Sequence, residues 1–191
     1  VGKHFYHFSY LGKKIKVAVG TTCRENILIG TRCASQSHFN ADFNIIIGYE
    51  AGYLSETGDN NVFIGYKSGY SNRTGIENVS LGSNSLHSNR NGSGNVAIGF
   101  KSLYNSTGFL GDDTELGKQN TAIGSSVGFY TTGISNSYFG FEAAYGSTTG
   151  NNNVVIGYKC GRGDDNTIPS AYSNSDNNIL IGYQCALNID S

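Results

Sequence analysis

Few side chains in this 191-residue chain have types and spacings that could support chemistry. They are four cysteines, four histidines and 14 acidic residues. The spacing of the cysteines matches no metal-binding pattern, and neither a Ser-His-Asp nor a Cys-His set can be identified. Carboxylate pairs for hydrolysis lie about 5–10 Å apart, whereas Glu50 and Glu142 are far apart in the chain. The sequence therefore predicts no enzymatic activity, no catalytic residue and no cofactor.

Paired acidic residues occur in two non-repetitive segments, at Asp112-Asp113 with Glu115 and at Asp164-Asp165. Their oxygens could coordinate Ca²⁺, but their spacing matches no established calcium loop. We therefore predict no metal site and treat the four aspartates as weak candidates. Protruding segments of this kind often contact partners. The candidate receptor contacts are Asp112, Asp113, Glu115, Asp164, Asp165 and Tyr172.

The overall composition excludes several classes of protein. With 13 basic and 14 acidic residues, the chain has a net charge of −1 and no basic field for nucleic acid. It contains no run of 18 apolar residues, so no membrane insertion is predicted. The 27 glycines argue against long helices, because an interior glycine costs roughly 1 kcal/mol relative to alanine.

The organising feature is an internal repeat in which an asparagine, three mostly apolar residues and a glycine recur nine times. The spacing of the closing glycines centres on 17 residues, with two insertions of eight, and a degenerate tenth copy spans Lys16 to Gly20. This period predicts an all-β fold, a parallel β-roll or β-solenoid of about ten coils over residues 16–187. Residues 1–15 are then a cap or a linker, and residues 188–191 a tail. The asparagines, which we expect to form a structural amide ladder, are Asn26, Asn44, Asn61, Asn78, Asn95, Asn120, Asn136, Asn153 and Asn178.

Aligned columns of the repeat indicate where side chains point. The residues one and three places after the asparagine are mostly β-branched, as in Val62 and Ile64, which predicts a strand with that face in a core. The column between them is also uncharged, so we expect it to be covered by further copies of the chain in a symmetric homo-oligomer. A second short strand should follow the glycine, with a solvated column that includes Glu50 and Lys67 and with a small inward column.

Two stretches of the repeat resemble known proteins: Asn61-Val-Phe-Ile-Gly-Tyr-Lys-Ser-Gly-Tyr70 and Asn95-Val-Ala-Ile-Gly-Phe-Lys-Ser-Leu-Tyr104. They resemble head repeats of trimeric autotransporter adhesins and, more closely, the 17-residue repeats of phage and virus tail-fibre-like proteins. The likeness covers roughly residues 16–187. Autotransporter heads usually have a shorter coil and lack the long loops and cysteines, which favours the fibre-like relatives.

The resemblance implies a left-handed roll and a homotrimer that acts as a non-enzymatic structural or adhesive fibre module. Such a module presents loops for attachment to a host or cell surface, and it is located outside the cell, on a virion fibre or a cell surface. Its partners would be itself and a cell-surface receptor or glycan. The alternatives are a self-assembling extracellular filament or surface-coat subunit and, less favoured, a β-helix enzyme that processes polysaccharides.

The four cysteines fall in the small inward column, as the neighbouring pairs Cys23–Cys33 and Cys160–Cys185. Each pair is a candidate disulfide between adjacent coils. In-register parallel neighbours hold their Cβ atoms near ~4.8 Å, which is longer than a disulfide prefers. The sequence therefore favours free thiols.

Three further features have both a structural and a functional interpretation. Sequons in loops make Asn72, Asn91 and Asn105 candidates for glycosylation. His4 and His7 could bind metal on a trimer axis, although their segment is more simply a cap on the first coil. Two aromatic columns could stack on sugars or pack between coils; they contain Tyr49, Tyr66, Phe100, Phe141, Tyr158 and Tyr183, and Tyr53, Tyr70, Tyr104, Phe129 and Tyr145.

Overall fold

A computed structural model describes residues 4–10, 13–19, 24–36, 38–106, 116–163 and 175–186. Its eleven strands form one sheet in which every strand pairs with its neighbour in the sequence. The strands are β1 (His4–Tyr10), β2 (Lys13–Val19), β3 (Asn26–Ile29), β4 (Ile45–Ile47), β5 (Val62–Ile64), β6 (Val79–Leu81), β7 (Val96–Ile98), β8 (Thr121–Ile123), β9 (Ser137–Phe139), β10 (Val154–Ile156) and β11 (Ile179–Ile181).

Strands β3 to β11 are parallel and stack in the register of the repeat. Val62 pairs with Ile45 on one side and with Val79 on the other, and the same correspondence holds from β3 to β11. Each repeat is therefore one coil of a β-solenoid, as the sequence predicts. A coil is named below by the asparagine that begins it, so that the Asn61 coil contains β5.

The tenth predicted coil, Lys16 to Gly20, is wrong. Residues 16–19 of this segment belong to β2, which runs antiparallel to β3, with Ile15 opposite Ile29 and Ala18 opposite Asn26. Only residues 20–25 separate β2 from β3, and such a short connection suits antiparallel strands, whereas parallel strands need a longer crossover. The hairpin β1–β2 thus occupies the edge of the first coil, which is the capping place expected for the N-terminal segment.

The side chains that face the core are not the ones that the sequence predicts. In each three-residue strand the middle side chain points into the coil, as Ile46 and Phe63 do at 0% exposure. The β-branched side chains on either side of it are half-buried or exposed. β-branched residues favour a pleated surface whether or not that surface is covered within one chain. The inward column is Leu28, Ile46, Phe63, Ser80, Ala97, Ala122, Tyr138, Val155 and Leu180.

The segment after the glycine is a turn, so the second strand predicted there is absent from the described coils. In the Asn61 coil, Lys67 and Gly69 have φ values of 52° and 58°, in the left-handed region. The chain therefore bends sharply where an extended segment was expected. Its backbone still pairs between coils, because the N–H of Lys67 donates to the Tyr49 carbonyl at 2.9 Å and that of Gly69 to the Ser85 carbonyl at 3.0 Å.

The nine repeated asparagines form an amide ladder that is buried from Asn26 to Asn153 and half-buried at Asn178. In one step, the backbone N–H and the side-chain amide of Asn78 donate to Oδ1 of Asn61, at 3.0 and 3.1 Å. The same side-chain amide of Asn78 donates to the Gly92 carbonyl at 2.9 Å. Asn78 therefore binds the previous coil and also ties the start of its own coil to the turn that ends it. Asn44 and Asn178 differ, because their side-chain amides donate to the carbonyls of Asp42 and Asp176, two residues earlier.

The closing glycines are required because adjacent coils touch there. A Cβ atom on Gly65 would lie 2.5 Å from the carbonyl oxygen of Gly82, the matching residue of the next coil. Gly65 also has a φ of 139°, a conformation that L side chains rarely adopt. Both facts explain why no other residue occupies this column.

Two inward columns share the core of each coil, and where one column has a large side chain the other has a small one. In the Asn61 coil, Phe63 fills the interior, and a Cβ on Gly69 would lie 2.6 Å from its ring. In the Asn95 coil, the equivalent residues are Ala97 and Leu103, both fully buried. Leu103 accepts a left-handed φ of 46°, a conformation that costs roughly 1–2 kcal/mol, because its side chain occupies the space that a small Ala97 leaves.

This exchange predicts that Phe63→Ala and Gly69→Leu compensate each other. Phe63→Ala alone should cost about 3–5 kcal/mol through the cavity it leaves. Gly69→Leu alone should cost about 1–3 kcal/mol through overpacking. The double variant reproduces the Ala97 and Leu103 pair, so its loss should be smaller than the sum of the single losses by about 1–3 kcal/mol.

The measurement is the free energy of unfolding in urea for the three variants and the unmodified chain. The matched control is the reverse exchange in the other coil, Ala97→Phe with Leu103→Gly, which should show the same compensation. Strictly additive losses in both coils would contradict the model of a shared core volume.

Candidate interaction surfaces

One side of the solenoid is an apolar face made of three columns. The side chains on either side of each inward residue form two columns, and the ring that follows the closing glycine forms the third. In coils away from both ends of the solenoid, Tyr66 is 48% exposed and Ile123 is 37% exposed. This face is therefore not covered within the chain. Its clearly exposed members are Ile27, Tyr49, Tyr66, Leu81, Phe100, Ile123, Phe141, Ile156, Tyr158, Ile179, Ile181 and Tyr183.

The rings of this face, the outer ring column, stack mainly on one another. Tyr49 and Tyr66 lie 5.5 Å apart with planes 8° from parallel, and Phe141 and Tyr158 lie 5.4 Å apart at 13°. Their exposure is what the sugar-stacking hypothesis needs. However, each stacked ring turns its face chiefly to its neighbour, whereas a sugar would need that face itself. The arrangement therefore favours packing between coils and copies.

A second stack, the inner ring column, is half-buried and continuous over six coils. Its neighbouring centroids are 4.7 to 5.2 Å apart. Sequence reasoning missed that His87 belongs to it, because a histidine breaks the aromatic pattern of the column. The members are Tyr53, Tyr70, His87, Tyr104, Phe129 and Tyr145.

The column predicted to be solvated contains a buried carboxylate, Glu50. It is only 5% exposed and lies between Arg32 at 2.5 Å and Lys67 at 3.5 Å. The three residues belong to successive coils, so opposite charges alternate along the solenoid and satisfy the buried group. Glu142 is similarly engaged, with Arg162 at 2.6 Å and Lys159 at 3.8 Å.

The surroundings of His87 change its acid–base behaviour. Its ring stacks between Tyr70 at 4.9 Å and Tyr104 at 4.7 Å, and its Nδ1 lies 3.1 Å from Ser88 Oγ. Burial of the ring, and secondly the positive charge of Lys67, lower the pKa of His87 below its ordinary value of 6.5. The folded chain therefore favours the neutral imidazole.

Cys160 and Cys185 are joined by a disulfide, so the prediction of free thiols is wrong for this pair. Their Cα atoms are 4.5 Å apart, within the range that a disulfide spans, because side chains can lean toward each other even when neighbouring backbones are in register. Cys33 is buried, with its Sγ 3.4 Å from the Gly30 carbonyl oxygen. Its predicted partner Cys23 lies outside the described residues.

Asn72, one of the glycosylation candidates, is not accessible as an acceptor. Its side chain is fully buried, its amide donates to the Gly75 carbonyl at 2.9 Å, and its Oδ1 accepts from Asn89 at 2.8 Å. It belongs to a second buried polar column whose members vary between asparagine, serine and threonine, which hides the pattern in the sequence. Asn91 and Asn105 are half-buried and stay predictions.

The remaining predicted sites fall outside the described residues. They are the side chains of His4 and His7 and the residues Asp112, Asp113, Glu115, Asp164, Asp165 and Tyr172. Within the described ranges, no three His, Cys, Asp or Glu side chains are grouped so as to hold a metal ion. In the same ranges, no helix has the length and apolarity that crossing a bilayer requires.

No protein-family model, curated protein or solved structure matches this chain. A functional interpretation therefore depends on the apolar face, the ring columns and the charges of the described coils.

The surroundings of His87 predict a pH-dependent stability that one substitution removes. A depressed pKa makes a stabilising contribution that is complete above the unfolded value of about 6.5 and is lost as the pH falls below it. His87→Phe keeps a ring in the stack, as Phe129 does, but cannot be protonated. We expect the unmodified chain to lose more stability between pH 7.5 and pH 5 than this variant does.

The measurement is urea unfolding at both pH values. His38→Gln, which alters an exposed histidine, is the matched control and should retain the pH dependence of the unmodified chain. Equal losses for the unmodified chain and His87→Phe would show that His87 does not govern the acid response.

Proposed function

We propose that this chain is a non-enzymatic structural and adhesive fibre module. In this proposal the β-solenoid associates with copies of itself, as a parallel homotrimer, and presents loops for attachment to a host or cell surface. The module works outside the cell, on a virion fibre or a cell surface.

The observation that carries the proposal is the apolar face. Nine strands at ~4.8 Å spacing and three columns two residues apart make it roughly 40 Å long and 14 Å wide. An uncovered apolar patch of roughly 500 Å² lies near the upper end of what monomeric proteins expose, and such patches commonly mark interfaces. A closed cyclic assembly would bury this face of every copy around one axis.

The choice of three copies rests on the resemblance of the repeats to trimeric adhesin heads and tail fibres. The repeat geometry is compatible with it, because each flat face can meet two others along a common axis with all coils at equal height. Attachment would then be multivalent: three copies of each loop raise weak individual contacts to useful avidity. The Cys160–Cys185 disulfide is consistent with an oxidising location.

The main alternative is a filament assembled end to end. Its support is the last described strand, β11, whose Ile179 and Ile181 are 72% and 65% exposed and whose outer edge pairs with no described strand. At the other end, the antiparallel hairpin β1–β2 interrupts the asparagine ladder. Stacking of whole solenoids could therefore not continue the ladder from one copy to the next.

An enzyme of the β-helix type has less support. The two carboxylates considered for catalysis, Glu50 and Glu142, are each engaged by two cations. Neither is held apart from charge partners in the way that a general acid or base requires.

Lysines introduced on the apolar face should prevent association. Ile64→Lys with Ile98→Lys would place three ammonium groups at each of two levels around the axis. We expect the unmodified chain to sediment at three times 20.4 kDa and the double variant to sediment as a folded monomer. The measurement is sedimentation equilibrium, with circular dichroism to verify that the variant remains folded.

The matched control is Thr57→Lys with Thr149→Lys, which adds the same charge at two exposed turn positions and should leave the trimer intact. A monomeric unmodified chain would overturn the proposal. Masses that grow without limit as concentration rises would favour the filament instead.

A further inference from the structure

A cluster of positive charge lies on the flank of the solenoid, around the centre of the inner ring column. Residues 60–106 contain four basic residues, Lys67, Arg73, Arg90 and Lys101, and a single acidic one, Glu77. Glu77 is exposed and lies two residues before strand β6. The four cations, together with the rings between them, are called the basic flank below. In a chain of net charge −1, this concentration of one sign is local.

The basic flank has two columns of cations, one three residues before the ring column in the chain and one three residues after it. Lys67 Nζ lies 5.3 Å from the ring centre of Tyr70, and Lys101 Nζ lies 5.7 Å from that of Tyr104. His87 stacks between these two rings. Arg73 and Arg90 each follow a ring by three residues, after Tyr70 and His87, and they lie in adjacent coils, where the N–H of Arg73 donates to the carbonyl of Arg90 at 2.8 Å.

This arrangement departs from the charge pattern of the other coils. Along the column that contains Lys67, charges of opposite sign pair between neighbouring coils, as in Arg32–Glu50–Lys67 and Glu142–Lys159. Arg73 has Glu56 on one side at 3.7 Å, but on its other side it has Arg90, a second exposed cation. Like charges in adjacent coils destabilise the stack, so a structural role does not explain them.

We infer that the basic flank binds a linear anionic polysaccharide, one that carries sulfate or carboxylate groups, lying along the solenoid axis. The two arginines are one coil apart along the axis, a spacing of ~4.8 Å, and the two lysines are two coils apart, a spacing of ~9.6 Å. A linear glycan with an anionic group on each sugar or on alternate sugars offers charges at comparable intervals. Ring edges and the serine and asparagine side chains of the flank would meet its hydroxyl groups. The inference names the receptor class of the attachment function and rests on that function, though not on the number of copies.

The surroundings of His87 are consistent with a positive potential at this place, since the charge of Lys67 contributes to lowering its pKa. A bound polyanion should reverse that influence and raise the pKa of His87.

The geometry favours a glycan over a nucleic acid or a membrane. Single-stranded nucleic acids bind by stacking their bases on exposed aromatic faces, and the rings of the flank stack on each other. Insertion into a membrane needs exposed apolar side chains, whereas Tyr70, His87 and Tyr104 are half-buried. Both remain outcomes that an experiment can detect.

The experiment measures binding of fluorescein-labelled heparin to the purified full chain at 0.15 M salt. The test variant is Arg90→Gln with Lys101→Gln, two cations of the flank to which no described carboxylate is bonded. The matched control is Arg24→Gln with Lys118→Gln, which removes the same charge outside residues 60–106, shortly before strands β3 and β8. We expect the affinity to fall by about tenfold or more in the test variant and by less than about twofold in the control, because each lost contact removes counterion release.

Equal losses in the test and control variants would overturn the inference, and so would equal binding of neutral dextran. A 20-nucleotide DNA strand or phosphatidylserine vesicles that bind as tightly as heparin would exclude a glycan-selective site. If the chain sediments as a trimer yet binds no heparin, the inference fails while the proposed self-association stands. If it is a monomer that binds heparin at the basic flank, the proposed assembly fails and the glycan site remains.

Discussion

Each coil of the solenoid is held by a side-chain amide that makes bonds in two directions. Asn78, for example, donates to the amide oxygen of Asn61 in the previous coil and to the Gly92 carbonyl that ends its own coil. A buried amide left without partners would cost about 1–3 kcal/mol, so each asparagine requires the next. The other features of the coil follow from this spacing: the coils lie close enough for backbone bonds all around, and the column of closing glycines tolerates no Cβ.

Closeness of the coils also determines how the chain fills its interior. A 17-residue coil encloses few side chains, and no coil can expand without breaking its bonds to its neighbours. Volume is therefore exchanged within the interior, as the pairs Phe63 with Gly69 and Ala97 with Leu103 illustrate. The same rigidity leaves the β-branched side chains on the outer face with nothing to cover them in one chain. The apolar face exists because the core is too narrow to bury the side chains of both faces of each strand.

The repeat, the parallel sheet and the asparagine ladder could be predicted because each requires the same residue type in every coil. Which side chains of each strand face the core could not be predicted. The residues on both faces are apolar, and alternation alone does not say which face is inside. The segment after Gly65 was predicted as a strand, although it is a turn. Lys67 adopts a left-handed conformation there, and a lysine gives no sign of this conformation in the sequence. The burial of Asn72 was missed because serine and threonine replace it in other coils. His87 of the inner ring column was missed for the same reason. Each position of that column holds a flat ring, but the residue type differs from coil to coil.

The disulfide between Cys160 and Cys185 ties the last described coil covalently to the coil before it. It closes a covalent ring across 25 residues of sequence, and that ring contains the second insertion. A protease that cut once within this ring would leave both pieces joined through sulfur, and Asn178 would keep its place on the amide of Asn153. The insertion can thus change in sequence or be cut while the last described coil stays covalently attached to the coil before it.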